Sequence, residues 1–168
     1  VQSGVLTTYT STAIINRQVV DVIVTNASGC TATSTGITNS VFASSHANAG
    51  IGGDKCGKDF VLTALVPTAG TGTWTKVNGP GTALFTSDTH QPNAKVTVDK
   101  FGTYNFSWTV VNSTCISSEI VKVVFHDLPS INAGRDTTIC KESSIQLYAL
   151  GTGSFSWLPD AQLTNPNI

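Results

Sequence analysis

Four cysteines (Cys30, Cys56, Cys115, Cys140), three histidines (His46, His90, His126) and ten carboxylates are the side chains of this chain with acid–base, nucleophilic or metal-binding chemistry. Their spacing assembles little of it. There is no Cys-x-x-Cys and no closely spaced histidine pair, so the local ligand sets of a tetrahedral zinc site are missing. Neither His-Glu-x-x-His nor Gly-x-Ser-x-Gly occurs. His126 and Asp127 are neighbours, and on an extended chain neighbouring side chains point to opposite faces. The eight Asp and two Glu are scattered through turn-like stretches and strand ends, with no pair that can be placed at a glycosidase separation. No Asp-x-Asp-x-Asp-Gly run marks a calcium loop. The residues therefore predict no catalytic group, no enzyme and no cofactor. The chemistry left to the cysteines is pairing. Four of them permit three connectivities, and their presence in a Ser/Thr-rich chain without Met fits an oxidising compartment.

The elements that must hold these residues are strands. AKVTVD (94–99) alternates Ala94, Val96 and Val98 against polar residues, and TYNFSWTVV (103–111) alternates Tyr104, Phe106, Trp108 and Val110. SSIQLYAL (143–150) and VVDVIVT (19–25) show the same period of two, the pattern of a strand with one buried face. DFVLTALV (59–66), GTWTKV (72–77), TALFTS (82–87) and EIVKVVF (119–125) read as further strands, punctuated by Gly, Pro, Asn and Asp. No window carries the helical i, i+3, i+4, i+7 spacing over a useful length. Charge excludes some partners. Nine Lys+Arg stand against ten Asp+Glu, which gives no electrostatic reason to bind nucleic acid or an anionic membrane. No apolar run of about 18 residues is present, so no membrane-spanning helix is expected. Ser and Thr make up about a quarter of the chain, well above ordinary usage. With Val at position 1, no Met and no visible signal peptide, the chain reads as processed or as part of something longer.

A repeat organises the strands. NAGIGGDKC (48–56) and NAGRDTTIC (132–140) both read Asn-Ala-Gly, five residues, Cys, at an offset of about 84. Trp74 and Trp157, and Cys30 and Cys115, are separated by nearly the same interval. The expected architecture is all-β, as tandem immunoglobulin-like sandwiches. Residues 1–45 are the C-terminal half of one unit, 46–127 a complete unit of about seven strands, and 128–168 the N-terminal half of the next. Trp74 falls where an immunoglobulin-like third strand carries its core Trp, and Asp99-Lys-Phe-Gly-Thr-Tyr104 matches a tyrosine corner. Phe106 takes the place of a second core cysteine. Trp74, Tyr104, Phe106 and Trp108 are thus predicted to be core. The three Trp all read as core, which weighs against a glycan-binding face.

FGTYNFSWTVVNSTC (101–115) resembles the penultimate strand and hairpin of immunoglobulin folds like that of polycystic kidney disease (PKD) domains. NAGRDTTIC, SIQLYALGTGSFSWLP and LTNPNI, with VTNASGCTATSTGI (24–37), are similar to repeats of very large Bacteroidetes surface proteins. That resemblance implies export by the type IX secretion system and an extracellular, outer-membrane-associated adhesin, gliding adhesins included. The region would be a non-catalytic stalk or filament. Its partners would be neighbouring repeats, the secretion or gliding machinery and surface polysaccharide. The same modules also decorate secreted hydrolases as spacers or glycan-binding accessories, which is the alternative.

Each unit carries one early and one late cysteine. The simplest pairing is Cys56–Cys115, with the partners of Cys30 and Cys140 outside these residues. It would stabilise by about 4 kcal/mol on a chain-entropy account. It also requires a short or irregular first strand, since a regular one would set the two at opposite poles of a sandwich. The resemblance further implies O-glycosylation at Thr137, in Asp136-Thr137-Thr138, although Asp-Thr-Thr is equally turn chemistry. Arrays of this kind sometimes hold Ca²⁺ at their junctions, which makes Asp127 and Asp136 weak candidates, with Asp54 at the matching start of the central unit. A solvated linker is the stronger expectation, and no metal is predicted. Asn26 and Asn112 sit in formal N-glycosylation sequons but read as hairpin residues accepting positive φ.

Overall fold

The computed structural model describes residues 7–158. Thirteen strands run in chain order among these residues. β1 (Val19–Val20), β2 (Ile23–Thr25), β3 (Thr31–Thr33) and β4 (Ile37–Thr38) come first. Seven strands form the centre: β5 (Gly53–Cys56), β6 (Asp59–Val61), β7 (Thr71–Asn78), β8 (Ala83–Phe85), β9 (Lys95–Val98), β10 (Gly102–Asn112) and β11 (Cys115–His126). β12 (Ile131–Asn132) and β13 (Leu150–Gly151) follow.

The centre is an immunoglobulin-like β-sandwich. One sheet has the order β5-β11-β10-β7 and the other β6-β9-β8. All neighbours are antiparallel except β5, which runs parallel to β11. Because strand side chains alternate between faces, the inward set of β10 is Tyr104, Phe106, Trp108 and Val110, and all four are buried. Val121, Val123 and Phe125 on β11, Trp74 on β7, and Val96 and Val98 on β9 close the core with Leu62 and Ala94. The large rings pack on one another: Tyr104 meets Phe125 edge-on at 5.5 Å, Trp74 meets Trp108 at 5.1 Å, and Phe85 meets Phe106 at 6.1 Å. Fully burying each such side chain is worth about 3 kcal/mol. Gly72, opposite Val110 in the ladder, is required, because a Cβ there would run into the Trp108 ring.

The crossover from β9 to β10 is pinned by Tyr104, whose hydroxyl donates to the Lys100 carbonyl at 2.9 Å. This is the tyrosine-corner geometry. The Trp74 Nε1–H donates to the Pro92 carbonyl at 3.1 Å. Among the described residues the buried Nε1 of Trp108 finds no acceptor.

Several expectations need correction. The run 59–66 is regular only over Asp59–Val61. Beyond it Leu62 and Ala64 still donate to Ala94 and Pro92, in the segment leading into β9, and Leu65 turns to the Asn48 carbonyl of the entry segment. VVDVIVT breaks into β1 and β2, and Val22 and Val24 are exposed. In SSIQLYAL only Leu150 is in a strand, and Ile145 and Leu147 are both substantially exposed. The ladders there are two-stranded, and among the described residues no second sheet covers them. Positive φ in the 112–115 hairpin falls on Ser113 rather than Asn112, and in the 26–30 turn on Gly29 rather than Asn26.

The Cys56–Cys115 pairing is not formed, and all four cysteines are free thiols. Parallel pairing sets Cys56 beside His126, at the last position of β11, while Cys115 is the first. At about 3.3 Å per residue the two ends of this strand lie roughly 35 Å apart, against the ~7 Å between Cα atoms that a disulfide tolerates.

Candidate functional site

The polar side chains of the central sandwich converge at its two ends, where the chain enters and leaves. At the entry, residues 42–49 lie along the start of β11. The Ala47 N–H donates to the Ser117 hydroxyl at 3.0 Å, and the buried Ala49 donates to the Glu119 carboxylate at 2.6 Å. Asn112 Nδ2 donates to the Ala43 carbonyl at 2.8 Å, and the Cys115 thiol lies 4.0 Å from the Phe42 carbonyl oxygen. Backbone groups that would otherwise need a ladder partner are thus met by four side chains of the β10–β11 hairpin. Asn48 then turns the chain. Its Oδ1 accepts the Gly50 N–H at 2.9 Å, with Gly50 at φ 71°, and its carbonyl accepts the Leu65 N–H at 3.0 Å.

The same turn recurs downstream. Asn132 Oδ1 accepts the Gly134 N–H at 2.8 Å, with Gly134 at φ 85°. Asn132 pairs with Leu150, as Asn48 bonds to Leu65. Between these turns lies the exit. The His126 carbonyl accepts the Gly57 N–H at 2.9 Å, and its ring Nε2 lies 2.6 Å from Asp54 Oδ1. Asp127 accepts the N–H of its neighbour Leu128 at 2.8 Å. No sheet among the described residues joins strands across residue 46 or residue 128.

The remaining titratable groups do not assemble a reactive centre. His46 is exposed, and His90 is tied to Asp88 two residues away, ring to carboxylate at 2.8 Å. The backbone N–H of His90, and then its ring, hold the Asp88 carboxyl below its ordinary value. The Thr97 hydroxyl does the same for Asp59, helped by Lys95. Burial, and then the negative charge of Asp99, push the Tyr104 hydroxyl up. A shallow groove is lined by Lys55 of β5 together with Asp59, Phe60, Val61 and Lys95 of the three-stranded sheet, with Lys95 Nζ 3.6 Å from Asp59. Asp127, Asp136 and Thr137 are all exposed. Among the described residues no three His, Cys, Asp or Glu side chains gather as a metal-binding group. The LTNPNI stretch (163–168) lies outside the described residues. No helix among them is long and apolar enough to cross a membrane.

The signal missed in the sequence was the polar pair Ser117 and Glu119. They share the inward parity of Val121, Val123 and Phe125 on the same strand, a polar interruption that marks where a backbone segment replaces the core.

No family model matches the chain, and no curated protein matches it. Among solved structures it is similar to the PKD domain from KIAA 1837 protein, determined in solution, at 21% identity and a TM-score of 0.43, over 60% of this chain and 100% of that one. The immunoglobulin-like assignment rests on the two sheets and the core between them.

Proposed function

We propose that this chain is a non-catalytic repeat region of a large, exported bacterial surface adhesin, in which sandwiches follow one another as a stalk. The observation that carries the reading is the entry segment, whose backbone is bonded to Ser117, Glu119 and Asn112. A linker between independent domains is ordinarily solvated and mobile. Here it is built into the end of the sandwich, which suits a spacer that must keep its direction. The Asn-Ala-Gly turn repeated at Asn48 and Asn132 supports a second unit opening the same way. Near-neutral charge and buried Trp74 and Trp108 favour a spacer over a glycan-binding face. Partners on this reading are neighbouring repeats, the export or gliding machinery and surface polysaccharide.

The test is a monovalent antibody fragment raised against the folded chain. It should label intact cells of the source organism and reduce their attachment to a surface. Label confined to a soluble secreted hydrolase in the medium would overturn the adhesin reading in favour of an enzyme accessory.

A further inference from the structure

The two cysteines of the central sandwich lie at its two ends, each against the chain that leads to a neighbour. Cys56 is paired in the ladder with His126, and the next amide, Gly57, donates to the His126 carbonyl. The Cys115 thiol reaches the carbonyl of Phe42. Phe42 and His126 are one repeat apart, because FASSHANAG (42–50) and HDLPSINAG (126–134) align without a gap on the Asn-Ala-Gly turn. In a following unit the late cysteine, equivalent to Cys115, therefore lies beside the carbonyl of residue 126, where Cys56 already stands one strand away. The following late thiol and the Cys56–Gly57 backbone thus meet at the same peptide group. Neighbouring strands are about 4.8 Å apart, which sets the Cys56 backbone directly beside residue 126, and the carbonyl of that residue is the group the following late thiol would reach.

We propose that the cysteines form disulfides across the junctions: the early cysteine of each sandwich, here Cys56, bonds to the late cysteine of the next, and Cys115 bonds to the early cysteine of the unit before. The inference rests on the tandem-array reading. Each bond forms by exchange with a small-molecule or protein disulfide. One thiolate attacks the oxidant and releases its first thiol; the second thiolate attacks the mixed disulfide and releases the other. Two protons leave, and the oxidant gains the two electrons. The result is a staple at the joint, and it leaves the sandwich itself without an internal bond.

The test inserts a second copy of residues 44–127 directly after residue 127 of the full chain, which preserves the repeat interval. The first copy carries Lys55→Arg and the second Ile116→Val, both exposed positions, so that cysteine peptides of the copies differ in mass. After equilibration with oxidised glutathione, peptide mapping should find one crosslink, carrying both marks. Cys56→Ser in the first copy should abolish it, and Cys56→Ser in the second should leave it intact. The parent chain under the same conditions should show no Cys56–Cys115 crosslink. A crosslink within one copy overturns the proposal. So do free thiols in an inserted copy that has folded, as read from a doubled signal of buried Trp, and in that case the array reading survives. An inserted copy that fails to fold overturns both.

Discussion

Removing one oxygen atom tests the crossover between the sheets. Tyr104→Phe keeps the ring that packs against Phe125 and Phe106, so no cavity opens. What is lost is the hydroxyl's bond to the Lys100 carbonyl. A hydrogen bond of this kind contributes about 1 kcal/mol net, and an acceptor left buried adds to the loss. The expected destabilisation is therefore about 1–2 kcal/mol, a fall in melting temperature of roughly 4–15 °C for a domain of this size. Urea unfolding followed by Trp74 and Trp108 fluorescence measures it, and the slope should be unchanged because the exposed surface is the same. The pH dependence gives an independent reading. The folded state raises the Tyr104 pKa above the ordinary 10.0, so the unfolded chain loses this proton first and stability falls as pH rises past that value. Tyr104→Phe should remove that part of the alkaline destabilisation. A loss below about 0.5 kcal/mol, with the alkaline limb unaltered, would show that the hydroxyl does not hold the corner.

Phe106→Ala should cost about 3–5 kcal/mol as a large-to-small core change, measured by the same unfolding; a near-neutral outcome would contradict its burial in the core. Glu119→Ala should destabilise by about 1–3 kcal/mol and speed hydrogen exchange at the Ala49 amide, and unchanged exchange there would mean that the entry segment is held by something else. Thr97→Val should raise the Asp59 pKa toward 3.8, seen by NMR titration, because the hydroxyl is the main cause of its lowering; the stability this carboxylate contributes is present above pH 3.8 and is lost as pH falls below it. Reductant should leave the melting temperature of this chain unchanged, since none of its thiols is paired; a drop of several degrees would reinstate an internal disulfide.

The parts legible in the sequence were those governed by local alternation. Tyr104, Phe106, Trp108 and Val110 share one parity on a long strand, and a strand of that length between two others buries one face regardless of detail. The corner was legible because its hydrogen bond spans only four residues. The cysteine pairing was not, because it depends on β5 joining β11 in parallel, and period two carries no information on strand direction. The run 19–25, which forms β1 and β2, is largely exposed for a related reason: alternation reports a strand's capacity to bury a face, and burial itself requires a second sheet. Ser117 and Glu119 carry no local signal of their role, because a polar residue at a core parity shows that the apolar face stops but not which segment meets it. They are the acceptors for a segment 70 residues earlier in the chain.

The division of labour between core and cysteines follows from where each lies. An antibody domain places a disulfide between its sheets, at the position Phe106 occupies here. In this sandwich that space is filled by rings, with Tyr104 packed against Phe106 and Phe125, and Trp74 against Trp108. Such a cluster stabilises by burial and needs no oxidant, so the sandwich can form before any thiol reacts. The cysteines stand outside that cluster, one beside the outgoing chain and one beside the incoming chain. A bond at either place leaves the core untouched. It constrains the one degree of freedom the sandwich cannot control by itself, the angle at which the chain continues.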